Sequence, residues 1–429
     1  MEDLRKLAND CVHCGFCLPA CPTYQLWAEE MDSPRGRIHL MTQVMDGAPL
    51  TGTVLQHLDR CLGCMACVPA CPSGVQYDRL IEGARAWQPD QPRSAAQRAM
   101  RAVIFAVFPY PRRVRLAASP LRAAQRFGLD RLIKRSRIAD TLPATVAAAL
   151  RLAPPPTPRV RLPERVPARG QRRAVVGMLT GCVQAEFFPQ VNAATARVLA
   201  AEGCDVIIPR GQGCCGALSL HTGRGDEAAR LASRTVEVFG RAGVDAIVVN
   251  AAGCGSAMKE YGNLLEGRCE TAAAGHVVGS FANRVRDLAE FLAELGPAAE
   301  RHPLPLTVAY HDACHLVHAQ RMHAEPRALL RGIPGLELAE LADSGTCCGS
   351  AGVYNLLQPE AARELGERKA DAVSAAAAAG ASLLVSANPG CSLQIAAALE
   401  ARGEAMPVAH TAEVLDASIR RLPPAALTK

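Results

Sequence analysis

The sequence has few aromatic residues: they make up only 4% of its 429 residues. Proteins that bind single-stranded nucleic acid stack the bases on aromatic side chains, so we expect no nucleic-acid partner. No apolar run approaches the ~18 residues that a membrane-spanning helix needs. Residues 1–7 are charged and contain no apolar signal core. We therefore expect a cytoplasmic protein without a transmembrane helix.

Cysteine is the residue type that the chain has in excess, with 18 copies. In a reducing cytosol, disulfides are rare, so this many cysteines indicate metal or redox ligands. Cys204 precedes a predicted strand and is expected to be a small buried apolar residue, whereas Cys269 receives no role. The remaining cysteines fall into four groups along the chain.

The first two groups are two copies of the run CxxCxxCxxxCP, which is typical of bacterial ferredoxins with two [4Fe–4S] clusters. In such runs the fourth cysteine binds the other cluster. The first predicted cluster is therefore bound by Cys11, Cys14, Cys17 and Cys71, and the second by Cys61, Cys64, Cys67 and Cys21. Structural zinc sites use four ligands, often as two CxxC pairs, and do not account for two such runs.

The predicted fold class is a multidomain α+β protein, with a helical ferredoxin-like domain followed by two related α/β lobes. Strands are predicted at 174–179, 205–208, 246–249, 307–310 and 383–385, and helices at 37–45, 191–201, 227–241, 360–378 and 392–402. This alternation favours mostly parallel sheets. The predicted domains are the ferredoxin head (1–90), a basic helical and Pro-rich linker (91–171), the first lobe (172–300) and the second lobe (301–429).

The two lobes contain the other two cysteine groups, which repeat one pattern. The first thiol set is Cys182, Cys214, Cys215 and Cys254, and the second thiol set is Cys314, Cys347, Cys348 and Cys391. Each set contains a Cys-Cys-Gly sequence. The cysteines of each set lie just after predicted strands. We expect each lobe to bring its four cysteines together.

The whole arrangement resembles the glycolate oxidase iron–sulfur subunit family. The resemblance depends on the two ferredoxin runs, the Ser-Pro-Arg-Gly-Arg-Ile segment at 33–38, the two Cys-Cys-Gly repeats, and the segments 250–261 and 310–315. Related patterns occur in the small subunit of anaerobic glycerol-3-phosphate dehydrogenase, in lactate-utilisation proteins and in heterodisulfide reductase subunits. The literal GxGxxG match at 211–216 surrounds a cysteine pair and does not indicate a dinucleotide site.

The resemblance implies an electron-transfer subunit of a flavin-dependent glycolate (2-hydroxy acid) dehydrogenase. Flavin-containing partner subunits would oxidise the substrate, and this chain, with no catalytic residue of its own, would pass electrons toward a quinone or other membrane acceptor. The family resemblance also implies a peripheral position at the inner face of the membrane. The alternatives are the equivalent subunit of a glycerol-3-phosphate or lactate dehydrogenase, and a catalytic subunit like those of heterodisulfide reductases.

The repeats depart from the heterodisulfide reductase pattern, in which each repeat ends in CxxC and supplies five cysteines. Ala251 and Asn388 occupy the positions of the missing cysteines. Four thiolates suit an ordinary cubane cluster. We therefore expect at least one further [4Fe–4S] cluster in the lobes, with inert thiol sets as the alternative.

Three groups of charged or titratable residues remain without a firm role. Four histidines are closely spaced in sequence around Cys314: His311, His315, His318 and His323. They are either metal ligands or residues that bond cluster sulfurs or backbone, or line a quinone or substrate cavity. Arg35 and Arg37 lie between the ferredoxin runs, with a structural role or a role in docking or cluster tuning. Residues 92–172 contain 18 Arg/Lys against 3 Asp/Glu, which indicates either a solvated linker or a docking surface for an acidic partner or an anionic membrane.

Overall fold

The computed structural model describes residues 2–87, 93–128, 144–154, 157–268 and 272–428. Cys269 lies outside these residues. Short helices form the N-terminal region, and two sheets covered by helices form most of the rest. Among the described helices, none has both the length and the apolar composition needed to cross a bilayer.

The ferredoxin head consists of short helices joined by the two cysteine runs. The helices are Glu2–Asn9, Pro22–Trp27, Pro34–Met45, Gly52–Arg60 and Tyr77–Ala86, with a 3-10 turn at Glu30–Asp32. Ser33 caps the third helix by accepting a hydrogen bond from the Gly36 amide at 3.0 Å, and Pro34 fits its first turn. Leu58, Leu80 and Ile81 form the centre of a small core.

The basic linker forms helices that pack onto both lobes. They are Ala95–Val107, Pro111–Arg126 and Ala144–Arg151. Phe105 packs near Val353 of the second lobe. Arg115 and Arg122 both bind the buried carboxylate of Glu186 in the first lobe. Some of the linker's positive charge is therefore neutralised within the chain.

The linker sequence predicts helix breaks at Pro109, Pro111 and Pro120, and only the prediction at Pro120 is wrong. Pro120 lies inside the helix Pro111–Arg126. Val114 and Ala118 on the same helix are buried, so packing of this face stabilises the helix despite the hydrogen bond that proline removes.

The first lobe contains a five-stranded sheet in the order β1-β3-β2-β4-β5. Its strands are β1 (Arg165–Val166), β2 (Ala174–Met178), β3 (Cys204–Ile207), β4 (Ala246–Val249) and β5 (Val285–Asp287). All pairs are parallel except β1 with β3. The antiparallel edge strand β1 precedes the predicted start of this lobe at residue 172. Its helices are Val183–Phe187, Pro189–Ala201, Ala217–Leu220, Gly225–Gly240, Ala252–Lys259, Tyr261–Leu265, Ala272–Arg284 and Leu288–Leu295.

The second lobe repeats this topology with a fully parallel sheet in the order β7-β6-β8-β9. Its strands are β6 (Leu306–His311), β7 (Leu336–Glu340), β8 (Leu383–Ser386) and β9 (Val408–Ala409). Its helices are Ala324–Arg331, Tyr354–Leu357, Pro359–Ala378, Pro389–Ala401 and Thr411–Ile419, with a π-helical turn at His315–Ala319 and a 3-10 turn at Pro424–Ala426. The predicted parallel α/β lobes are thus confirmed.

The two lobes share one hydrophobic core. Val176 of β2, Val308 of β6 and Leu415 of the last helix belong to the same buried cluster. Arg197 of the first lobe binds Asp416 of that helix through two hydrogen bonds of 2.9 and 2.7 Å. This continuous packing fixes the two lobes against each other.

Candidate metal centres

The two ferredoxin runs face each other in the head, as crossed ligation requires. Cys21, from the end of the first run, lines a cavity together with Cys61, Cys64 and Cys67 of the second. Burial raises the pKa of Cys11, and the neighbouring thiols of Cys71 and Cys14 raise it further. Each predicted crossing cysteine therefore lies beside the run that it is expected to serve.

The backbone of both runs has the same unusual turn geometry. The third and fifth residues of each run have positive φ: His13 (53°) and Gly15 (89°) in the first, Gly63 (64°) and Met65 (62°) in the second. Such left-handed residues turn the chain tightly, so that successive cysteines point to one side. The Gly63 amide donates a hydrogen bond to the Cys61 sulfur at 3.4 Å. Thiols with amide donors around one cavity fit an iron–sulfur cluster.

Buried arginines favour the thiolate form of Cys61. Arg37 is fully buried and donates hydrogen bonds to Asp32 (3.3 Å) and to the His57 carbonyl (2.6 Å). Arg85 donates to the carbonyls of Leu58 and Cys61. Burial acts to raise the pKa of Cys61, but the charges of Arg37 and Arg85 outweigh it and lower this pKa. Arg35, by contrast, is paired with Glu30 near the surface.

The first lobe brings its four cysteines together. Cys182 follows β2, Cys214 and Cys215 follow β3, and Cys254 lies in the helix after β4. The sulfurs of Cys182 and Cys214 are 3.6 Å apart, and Cys215 contacts both Cys214 and Cys254.

The second lobe also brings its four cysteines together, and all four cysteines of this second thiol set are buried. Cys314 follows β6, Cys347 and Cys348 follow β7, and Cys391 lies in the helix after β8. Cys348 contacts both Cys347 and Cys391. Contact with Cys347 raises the pKa of Cys314, and burial raises it further. Crowded thiols of this kind become thiolates together only when a cation compensates their charge, so the arrangement fits a metal centre.

A glycine follows each cysteine pair because the backbone leaves no room for a side chain. Gly216 and Gly349 have φ values of +85° and +88°. A Cβ atom would lie 3.1 Å from the Ala228 carbonyl oxygen in the first lobe and 2.6 Å from the Ala362 carbonyl oxygen in the second. The Cys-Cys-Gly sequence therefore encodes a tight turn packed against a helix.

The second thiol set directly adjoins the ferredoxin head. Cys64 belongs to the same buried cluster as Cys314 and Cys347. Burial raises the pKa of Cys64, and the next largest cause is the charge of Cys314. The Tyr354 hydroxyl donates to the Arg60 carbonyl at 3.0 Å and holds the second lobe against the head.

The four histidines near Cys314 have different surroundings. His311 lies beside two of the thiols: one of its ring nitrogens and the sulfurs of Cys348 and Cys391 lie within 4.8 Å of one another. The Nδ1 of His315 is 3.6 Å from the Cys314 sulfur, and its ring lies tilted against that of His221, with the ring centroids 5.1 Å apart. His318 bonds the Gly345 carbonyl at 2.8 Å. His323 is exposed and lies 3.8 Å from Asp312.

Lys369 is a charged neighbour of the second thiol set that sequence reasoning missed. It is buried in the helix Pro359–Ala378, and its ammonium donates to the carbonyls of Asp343 and Ser344. Burial lowers its pKa, and the charges of Cys348 and Cys347 oppose that change. In the sequence it resembles any other helical lysine, with no local signal of burial.

Comparison with protein families finds matches in the head, the linker and both lobes. Residues 7–75 match a 4Fe-4S dicluster domain, and residues 96–153 match the linker region of the glycolate oxidase iron-sulfur subunit. Residues 176–259 and 308–396 each match a cysteine-rich domain. The predicted fold class, two-cluster head and paired cysteine-rich lobes are confirmed by these matches.

Two relatives named as glycolate oxidase iron-sulfur subunits align with almost the full chain. The chain is 37% identical to the probable glycolate oxidase iron-sulfur subunit of Bacillus subtilis, with 94% of this chain and 91% of the relative aligned. It is 34% identical to the glycolate oxidase iron-sulfur subunit of Escherichia coli, over 92% and 91%. Lactate utilization protein A of Shouchella clausii is 29% identical over 56% of this chain and 98% of the relative.

Proposed function

The chain belongs to the glycolate oxidase iron–sulfur subunit family, and we propose that it is the electron-relay subunit of a glycolate (2-hydroxy acid) dehydrogenase complex. Partner flavin subunits would oxidise the hydroxy acid, and a quinone-type acceptor would receive the electrons. A peripheral position at the inner face of the membrane fits such an acceptor. The named activity of the two long relatives and the cysteine arrangement support this proposal.

We propose specific ligands for each centre. Cys11, Cys14, Cys17 and Cys71 bind the first cluster of the head, and Cys21, Cys61, Cys64 and Cys67 bind the second. The first and second thiol sets each hold a further centre. Bound iron–sulfur clusters accept and release single electrons.

The single observation that carries the relay proposal is the burial of Cys64 against Cys314 and Cys347. Leu62, Ala66 and Tyr354 belong to this same apolar cluster and exclude water between the head and the second lobe. A thiol ligand of one centre packed against ligands of the next is what a chain of centres needs. This contact favours a relay over a head and lobes that act separately.

One end of the chain of centres, at the first cluster of the head, lies at the exposed surface. Cys14 is exposed, and Val12 and Phe16 beside it are 69% and 67% exposed. Exposed apolar side chains around a partly exposed thiol suit a contact with a partner protein. We place exchange with a partner subunit at this end of the head.

A Cys14→Ser variant tests the relay. In the complex with its flavin subunits, we expect loss of the first cluster and at least a tenfold loss of quinone reduction by glycolate, because one relay step is gone. Reduction of the partner flavin by glycolate should remain. Iron content, flavin absorbance and quinone reduction measure the three effects.

The matched control is Cys204→Ala, which removes a buried cysteine outside all four ligand groups. This variant should retain its iron and its quinone reduction. Full quinone reduction by the Cys14→Ser complex would disprove the relay.

A further inference from the structure

We propose that the His311 imidazole is a ligand of the metal centre at the second thiol set, so that this centre has mixed nitrogen and sulfur ligation. The inference rests on the proposed function, because it requires an iron–sulfur centre in the second lobe. Asn388 occupies the position of a fifth cysteine and does not supply that cysteine's sulfur donor. We assign the place of this donor to His311.

The first support is distance. A ring nitrogen of His311 and the sulfurs of Cys348 and Cys391 all lie within 4.8 Å of one another, and all three residues are buried. Two metal–sulfur bonds of ~2.3 Å span at most about 4.6 Å across one metal ion. The three donors are therefore spaced as ligands that converge on one centre.

The second support is the lack of hydrogen-bond partners around the His311 imidazole. Both ring nitrogens of His311 are buried, and neither has a hydrogen-bond partner among the described residues. A buried polar group without a partner is costly, and a metal bond would satisfy one nitrogen.

The third support is a comparison between the lobes. His311 ends β6, three residues before Cys314, and Leu179 follows β2, three residues before Cys182. Both side chains are about 1% exposed. The fold thus accepts an apolar residue at this position, and packing alone does not explain a histidine there.

The neighbouring histidines lie in other positions around this thiol set. His318 is bonded to the Gly345 carbonyl, and His323 is exposed. His315 approaches Cys314 rather than the pair formed by Cys348 and Cys391. A neutral nitrogen in place of an anionic thiolate raises a centre's reduction potential, as in Rieske centres. The second lobe would then attract electrons from the head.

The test is pulsed EPR of reduced full-length protein in which only histidine carries ¹⁵N. The signal of the second-lobe centre is identified by its loss in Cys348→Ala. In wild type we expect a ¹⁵N coupling typical of a bonded imidazole on that signal. His311→Leu, which copies the first lobe's residue, should lose the coupling, and the control His323→Leu should retain it.

His311→Cys gives a second readout if the leucine variant does not fold. It should hold iron as wild type does, lose the ¹⁵N coupling and lower the potential of the centre. A centre that is lost in Cys348→Ala but shows no ¹⁵N coupling in wild type overturns His311 ligation and leaves the relay intact. About eight irons per chain, unchanged in Cys348→Ala, or zinc in place of iron at this set, overturns both proposals.

Discussion

The first and second lobes deliver four cysteines from equivalent places in equivalent sheets, yet they surround them with different chemistry. In each lobe the thiols follow the central strand and its two neighbours, and the Cys-Cys-Gly turn packs against the long helix that follows. The first set is partly exposed at Cys182 and Cys254, whereas all of the second set is buried. The second set also adjoins the ferredoxin head.

Three equivalent positions show the difference most clearly. Beside the first set the chain has Leu179, Thr235 and Ala251, and beside the second it has His311, Lys369 and Asn388. Thr235 and Lys369 each lie seven residues after the alanine that contacts the Cys-Cys-Gly turn. Asn388 donates a hydrogen bond to the Cys391 sulfur at 3.3 Å.

These differences between the lobes shift the reduction potential in one direction. A cation and an N–H donor stabilise the more negative, reduced state of a centre. We therefore expect the second centre to have the higher reduction potential of the two. One scaffold used twice can provide two different potentials by changing the few side chains around the thiols.

The largest expected effect comes from removing one thiol set at a time. Cys348→Ala should lose about four irons and stop electron transfer from the head into the lobes. Cys215→Ala should lose a similar amount of iron but leave transfer from the head to the second lobe unchanged. Iron analysis and the rate of second-centre reduction after mixing with a reductant measure this. Equal effects of both variants on that rate would contradict the assigned order.

A smaller effect should follow from removing the buried cation of the second lobe. Lys369→Met keeps the aliphatic stem and removes the charge, so the potential of the second centre should fall. A shift on the order of 59 mV would equal a tenfold change in a one-electron equilibrium. Redox titration followed by EPR measures this potential. Thr235→Val, its counterpart in the first lobe, should leave the second centre unchanged, and an unshifted potential in Lys369→Met would refute the tuning.

The smallest effect concerns the two glycine turns. Gly349→Ala places a Cβ 2.6 Å from the Ala362 carbonyl oxygen, and Gly216→Ala places one 3.1 Å from that of Ala228. Both variants also force alanine into positive φ, so each should lose roughly 1–3 kcal/mol of stability. The second-lobe variant should lose more. Thermal unfolding of both variants tests this order. A Gly216→Ala protein that is less stable than the Gly349→Ala protein would contradict the expected order.

Much of this arrangement could be predicted from the sequence because cysteine spacing and strand patterns are local signals. The strands at 246–249 and 383–386 are predicted within one residue, and the ligand groups are visible as runs. The edge strands β1, β5, β7 and β9 were missed. Of these, β1, β5 and β9 have only two or three residues each, which carry too little pattern.

Other features depend on tertiary packing and have no local signal. Cys64 and Cys314 are distant in sequence, so only the fold shows that they pack together. The burial of Lys369 and the convergence of His311 on Cys348 and Cys391 likewise require the sheet geometry. Sequence reasoning identified the histidine cluster but left its members equivalent, and the structure distinguishes them.

The most direct test of the relay is EPR of the fully reduced, anaerobically purified protein, with iron and acid-labile sulfide counted per chain. Because Cys64 packs against Cys314 and Cys347, the second cluster of the head and the second-lobe centre should show spin–spin coupling that disappears in Cys348→Ala. We predict this coupling together with about sixteen irons per chain. About eight irons and uncoupled signals that are the same in wild type and Cys348→Ala would contradict the account.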